Sequence, residues 1–321
     1  METSGLIAET LFLWDMSLSD QYSYVRYLAA KKTVDDRSLN RHVWNSLVSA
    51  LSCIKDPLNI LEVGAGIGTM LERMLEWGLL RNAVYTAIDI DRSNIVEVPY
   101  RLSTWAEMNK FDFKVDGDDR LILTDINHQI IVDLKAIDIF KFISREEASR
   151  KWDLLVSHAF LDLIDVGATL PSLFSLLKPK GLLYFTLNFD GLTIFQPDIH
   201  ELDDLIISLY HKTMDQRMIN GKSSGDAKTG RHLFCQLRKA GAELLDAGSS
   251  DWVVFPTNNE YLADEAYFLH FIIHTIYTAL IDRKLDERRL SEWIRQRHSQ
   301  IEQGELIYIA HQLDLLGRLL E

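Results

Sequence analysis

"ILEVGAGIGTM", residues 60–70, runs from apolar residues through one acid into three glycines spaced two apart. Glycine has no Cβ, so chains place it where backbone must turn sharply or approach something closely. A phosphate-binding loop needs a lysine and a hydroxyl after its last glycine, but Thr69 and Met70 follow Gly68. A dinucleotide fingerprint sets its third glycine one residue later, where this chain has Thr69.

Around that loop the chain alternates. "LNILEV" reads as a buried strand, and "GTMLERMLEWG" as a helix stopped by Gly78. "AVYTAIDID" (residues 83–91) is a second strand, with a helix predicted over about 92–107. "FDFKVDGDDRLILTDINHQIIVDLKAID" alternates apolar and polar residues around turn chemistry. It predicts an inserted antiparallel hairpin at about 111–134, then a strand ending near Asp138. "EEASRK" closes a helix, "WDLLVSHAF" is a strand, "TLPSLFSLLKPKG" a helix and "GLLYFTLNFDG" a strand. Alternation over 58–190 implies a parallel sheet with helices on both faces.

The flanks differ. Residues 6–54 carry apolar residues at helical spacing. After 190, two helices enclose the polar loop "INGKSSGDAKTGRH", and "AELLDAG" with "SDWVVFP" form two closing strands. Residues 259–318 read as two or three helices without a strand, and "GELIYIAHQLD" as part of an apolar helix. The organisation expected is a helical cap (1–54), an α/β core (55–257) and a C-terminal helical extension (258–321).

Composition narrows the function. With 321 residues, 47% hydrophobic and 25% charged, the chain is an ordinary globular one. Its net charge of −13, without a basic stripe, argues against a nucleic-acid partner. "FLHFIIHTIYTALI" is too short to span a bilayer, and the acidic N-terminus lacks the basic region of a signal peptide. Two cysteines give no disulfide framework and fit a cytoplasmic setting. No Cys/His cluster has metal-site spacing, so no metal is expected.

An acid before G-x-G-x-G, followed by an acid at the end of the next strand, resembles the class I S-adenosylmethionine-dependent methyltransferases. Glu62 and Asp89 supply the acids. "KAIDIF" looks like the family's third motif, "WDLLVSHAFLDLID" like its fourth, and "LFSLLKPKGLLYFTLNFDG" like the segment around its fifth strand. The resemblance covers about residues 58–190. It implies a Rossmann-like sheet of seven mostly parallel strands, here with an inserted hairpin and extra terminal helices.

The resemblance also implies S-adenosylmethionine as cofactor. Its binding set would comprise Glu62, Gly64, Ala65, Gly66, Gly68, Asp89, Ile90, Asp138, Ile139, Ser157 and His158. The logic suits that ligand: it has no pyrophosphate, its methionine part needs close backbone, and its ribose hydroxyls suit a carboxylate at a strand end. Asp91 is the rival for Asp89, and Glu62 serves either the ligand or the ordering of the loop. His158, Asp162 and Asp190 are the candidate bases, with a buried, merely hydrogen-bonded role as the alternative for His158 and helix capping for Asp162 and Asp165. Tyr22, Tyr24 and Arg26 lie on the helix that in such enzymes covers the cofactor, or else packs on the core.

The expected activity is in-line methyl transfer to a small-molecule acceptor, with neither membrane nor nucleic acid involved. The terminal helices wall an acceptor pocket or form a homodimer interface. A non-catalytic relative and a nicotinamide-dependent oxidoreductase remain as alternatives.

Overall fold

The computed structural model describes residues 22–54, 57–117, 119–145, 151–219, 222–283 and 286–320. Two helices come first, α1 (Tyr24–Ser38) and α2 (Arg41–Leu51). Ser23 and Asn40 cap them by accepting backbone amides. The core follows as β1 (Leu58–Val63), α3 (Thr69–Glu76), β2 (Asn82–Asp89) and α4 (Arg92–Asn109). The inserted hairpin is β3 (Asp112–Val115) and β4 (Arg120–Thr124), leading into β5 (Gln129–Ala136) and α5 (Ile139–Ser144). Next come β6 (Trp152–His158), α6 (Val166–Phe174) and the long β7 (Leu177–Gln196). The segment expected to close a helix, 146–151, lies almost wholly outside the described residues, as do residues 6–21 of the cap.

Helix α7 (Asp203–Asp215) leads to a small hairpin, β8 (Met218–Ile219) with β9 (Lys222–Ser223), where an irregular loop was expected. Helix α8 (Thr229–Lys239), β10 (Ala242–Ser249), β11 (Trp252–Val254), α9 (Glu265–Leu280), α10 (Glu287–Glu302) and β12 (Ile307–Leu319) complete the chain. Among the described residues, no helix is long and apolar enough to cross a membrane.

The main sheet has ten strands, ordered β10-β12-β7-β6-β1-β2-β5-β4-β3, with β11 paired to β12. Strands β5, β2, β1, β6 and β7 run parallel, so their carboxyl ends share one edge. The expected seven strands are the run from β10 to β5. The hairpin β3–β4 adds two at one side, and β11 adds one at the other.

The C-terminal segment corrects the expectation. Residues 265–302 form the anticipated helices, but 307–319 form strand β12, antiparallel to both β7 and β10. The stretch read as an apolar helix is this strand. The two "closing strands" β10 and β11 pair with β12 and not with each other. Residues 307–319 therefore complete the core sheet, so the segment from 258 is not wholly helical. Buried Asp314 on β12 accepts the Leu187 and Asn40 amides, each at 2.8 Å. It thus fixes β12 to β7 and to the start of α2.

Candidate active site

The glycine loop sits at the carboxyl end of β1, where ligands bind in open α/β sheets. Gly64 has φ +69°, and a Cβ there would lie 2.6 Å from Cδ2 of Phe160. Gly66 has φ +54°, and a Cβ there would lie 3.2 Å from Leu28 on α1. Side chains of L-residues avoid this left-handed backbone, so the conformation and the close neighbours both demand glycine. Gly68 is the left-handed N-cap of α3, and the Ala65 amide donates to the Ile88 carbonyl at 2.9 Å.

Asp89 ends β2 beside this loop. Its Oδ2 accepts the Gly66 amide at 2.8 Å. Its Oδ1 accepts the Asp91 amide at 2.8 Å and the Asn94 side-chain amide at 3.2 Å. A carboxylate offers about four acceptor positions, so Oδ2 retains one for a ligand hydroxyl. The rival Asp91 caps α4 by accepting the Ser93 amide. Neighbouring Ile90 is 72% exposed, leaving an apolar side chain at the rim.

Glu62 does not reach the rim. It is buried and accepts from the Tyr85 hydroxyl at 2.7 Å. Burial pushes its carboxyl up to about 8, against the pull of the Tyr85 hydrogen bond and the Arg73 charge. Its hydrogen bond thus ties β1 to β2. Asp138 caps the short helix α5 by accepting the Lys141 amide at 3.1 Å. It lies just past β5, whose Ala136 pairs with Asp89. Ile139, the first residue of α5, is buried.

At the end of β6, Ser157 is buried and its Oγ has no partner. His158 is held on both sides: Nε2 meets Asp35 Oδ2 at 3.0 Å and Nδ1 meets Thr186 Oγ1 at 2.8 Å. Burial, then the Lys31 charge, lowers its pKa to about 4, so the ring is neutral at ordinary pH. Since a carboxylate only accepts, Nε2 carries the proton and Nδ1 accepts from Thr186. This is the merely hydrogen-bonded alternative, and it leaves His158 no free nitrogen to act as a base.

Asp190 is likewise engaged. Its Oδ1 accepts the Arg231 amide and Nε, each at 2.8 Å. Asp162, in a single helical turn after β6, belongs to no ion pair among the described residues; burial raises its pKa. Asp165 caps α6, as one reading of it expected.

Helix α1 roofs the cleft. Besides Leu28 at Gly66, it carries Tyr24, whose pKa rises to about 12 through desolvation and the negative charges of Asp89, Asp162 and Asp91. Arg26 pairs with Asp264 through two 2.8 Å contacts and covers the Tyr267 ring, and Tyr22 stacks on His274, so α1 is bound to α9. Sequence reasoning missed Leu28, Phe160 as a wall of the loop, and above all Asp35. That residue accepts from Lys31 at 2.6 Å, Trp252 Nε1 at 2.9 Å and His158. A cavity of about 320 Å³ lined by Asp165, Asp215, Asp226 and His232 shares no residue with this cleft. Its carboxylates are already used on nearby amides and on His232.

A search of curated proteins gives no match. Among solved structures, a cyclopropane synthase from Mycobacterium tuberculosis is 12% identical, with a TM-score of 0.44 over 93% of this chain and 99% of that one. An S-adenosylmethionine-dependent methyltransferase from Methanosarcina mazei is 13% identical, with a TM-score of 0.43 over 85% and 98%. A family model described as a methyltransferase domain matches residues 37–206, from the end of α1 through the glycine loop, Asp89 and His158 into α7. With more than half of its length matched, this chain belongs to the methyltransferase domain family.

Proposed function

We propose that the chain transfers the methyl group of S-adenosylmethionine, in line, to a small-molecule acceptor held beneath α1. The observation that carries the reading is the roof itself: Leu28 stands against Gly66, so α1 lies over the glycine loop. Such a site favours a small acceptor over a macromolecule. The net charge of −13 points the same way with respect to nucleic acid.

The residues suit the cofactor. Gly64, Ala65 and Gly66 offer close backbone to its methionine part, and Asp89 Oδ2 has a remaining acceptor position for ribose. Ile90 offers an apolar face to the adenine ring, with Asp138 and Ile139 beside it at the start of α5. The unpartnered Oγ of Ser157 is a spare hydrogen-bonding group at the end of β6. The acids near Tyr24 favour a cationic ligand.

When bound, S-adenosylmethionine supplies an electrophilic methyl group on a sulfonium. The chain's own part is to align the acceptor and keep water out. An acceptor that must lose a proton would give it to Asp162, because His158 and Asp190 are engaged.

Calorimetry with S-adenosylmethionine, S-adenosylhomocysteine and NADH tests this on wild type and Asp89→Ala. Micromolar binding of the first two, lost in the variant, is expected. A folded wild type that binds only NADH would move the assignment to an oxidoreductase. Cofactor binding without release of S-adenosylhomocysteine across a panel of small acceptors would leave a non-catalytic relative.

A further inference from the structure

Asp35 is 1% exposed, yet it carries a charge. Burial opposes ionisation, but Lys31, the His158 hydrogen bond and Arg73 outweigh it and hold the carboxyl well below the usual carboxylate range. Its contacts come from separate parts of the fold. Lys31 lies one turn away on α1, His158 ends β6, Trp252 lies on β11, and Arg73 Nη2 on α3 is 3.9 Å away. A buried charge that draws on four elements is costly unless every contact is kept. The arrangement therefore has one geometry, and that geometry fixes α1 relative to the sheet.

Two chains of contact run from it to the glycine loop. Along α1, Leu28 lies seven residues, about two turns, before Asp35, and reaches Gly66. Along β6, His158 is followed by Ala159 at φ +50°, whose amide donates to Thr186 at 2.9 Å, and then by Phe160 against Gly64. Thr186 also holds His158 Nδ1, so the turn that presents Phe160 is pinned through the same ring. The His158–Asp35 hydrogen bond thus links the two walls of the loop.

We propose that Asp35 is a positioning residue of the cofactor site, tying the roof helix α1 to the turn after β6 so that Leu28 and Phe160 close on the glycine loop. Asp35 touches neither the loop nor any reacting group. It acts through His158, whose tautomer it sets, and through the seating of α1. The inference rests on the cofactor reading of the cleft.

The test compares wild type, Asp35→Ala, Asp35→Asn and Trp252→Phe by S-adenosylhomocysteine calorimetry, thermal unfolding and nitrogen-15 NMR of the histidines. Wild-type His158 should show the Nε2–H tautomer, and Asp35→Ala should lose it. Asp35→Ala should weaken binding at least tenfold. Asp35→Asn keeps an acceptor for His158 and should recover part of that loss, even where the alanine variant folds poorly. Trp252→Phe removes the donor to Asp35 Oδ1 and spares the His158 contact on Oδ2, so it should lower Tm while weakening binding less than Asp35→Ala does. Asp35→Ala and Leu28→Ala should combine less than additively in affinity, because both act through the roof.

Unchanged affinity in a folded Asp35→Ala, with only Tm lowered, or a folded Asp35→Asn that binds no better than Asp35→Ala, would overturn the proposal and leave the cofactor reading standing. A wild type that keeps the tautomer but binds no S-adenosylhomocysteine would overturn the cofactor reading, and the proposal with it.

Discussion

Phe160 lies so close over Gly64 that a Cβ on the glycine would meet its ring carbon Cδ2 at 2.6 Å. The two residues come from the ends of neighbouring parallel strands, β1 and β6. Their contact closes one wall of the cofactor cleft.

Gly64→Ala should therefore be destabilising in two separable ways. The φ of +69° costs an L-residue roughly 1–2 kcal/mol, and the ring contact adds to it. Adding Phe160→Ala should relieve the contact and leave the backbone cost. Denaturant unfolding of the two single variants and the double variant checks this. Strictly additive losses would mean that the ring does not confine this position.

The Glu62 carboxyl should make stability pH-dependent. Its folded value of about 8 lies above its ordinary value near 4.5. Its contribution is thus fully present below about pH 4.5 and is lost as pH rises toward 8. Glu62→Gln stays neutral throughout, so it should gain on wild type across that window. The slope is about 1.4 kcal/mol per pH unit at most. Thermal unfolding of both proteins at pH 5 and pH 8 reads it. A Tm difference that does not change with pH would show that Glu62 is ionised in the folded protein.

Asp314→Ala should cost about 2–5 kcal/mol, because it strips the acceptor from the buried Leu187 amide and the half-buried Asn40 amide. Urea unfolding should show the loss as a lower midpoint with an unchanged slope. A loss below about 0.5 kcal/mol, the scale of an ordinary surface substitution, would contradict the anchoring role given to β12.

What the sequence made legible follows from the reach of its signals. The glycine loop and the acids ending β1 and β2 are local patterns, and they led to the loop and to Asp89 directly. Strand β12 was missed because its period-two pattern is blurred. Buried Gln312 and Asp314 stand on the alternating positions where apolar residues would mark a strand, while Ile307 and Ile309 on the other face are only partly buried. Burial itself alternates along 307–314, but the polarity of the residues does not follow it.

Asp35 was invisible for a different reason. Lys31 and Asp35 are four apart on a helix, the spacing of an ordinary solvated ion pair. Only the partners arriving from β6 and β11 show that the pair is buried. Likewise His158 ends β6, as a reactive group would, and Asp190, expected at a strand end, lies within β7. What removes them as bases is Arg231, Thr186 and Asp35, all distant in sequence.

Strand β12 separates β7 from β10, yet it is made after both. During synthesis on the ribosome, the strands on either side exist before the one that joins them. Until Ile307–Leu319 arrives, β7 and β10 each present an unpaired edge. A nascent chain paused before that point would be the form most prone to aggregate and most in need of a chaperone.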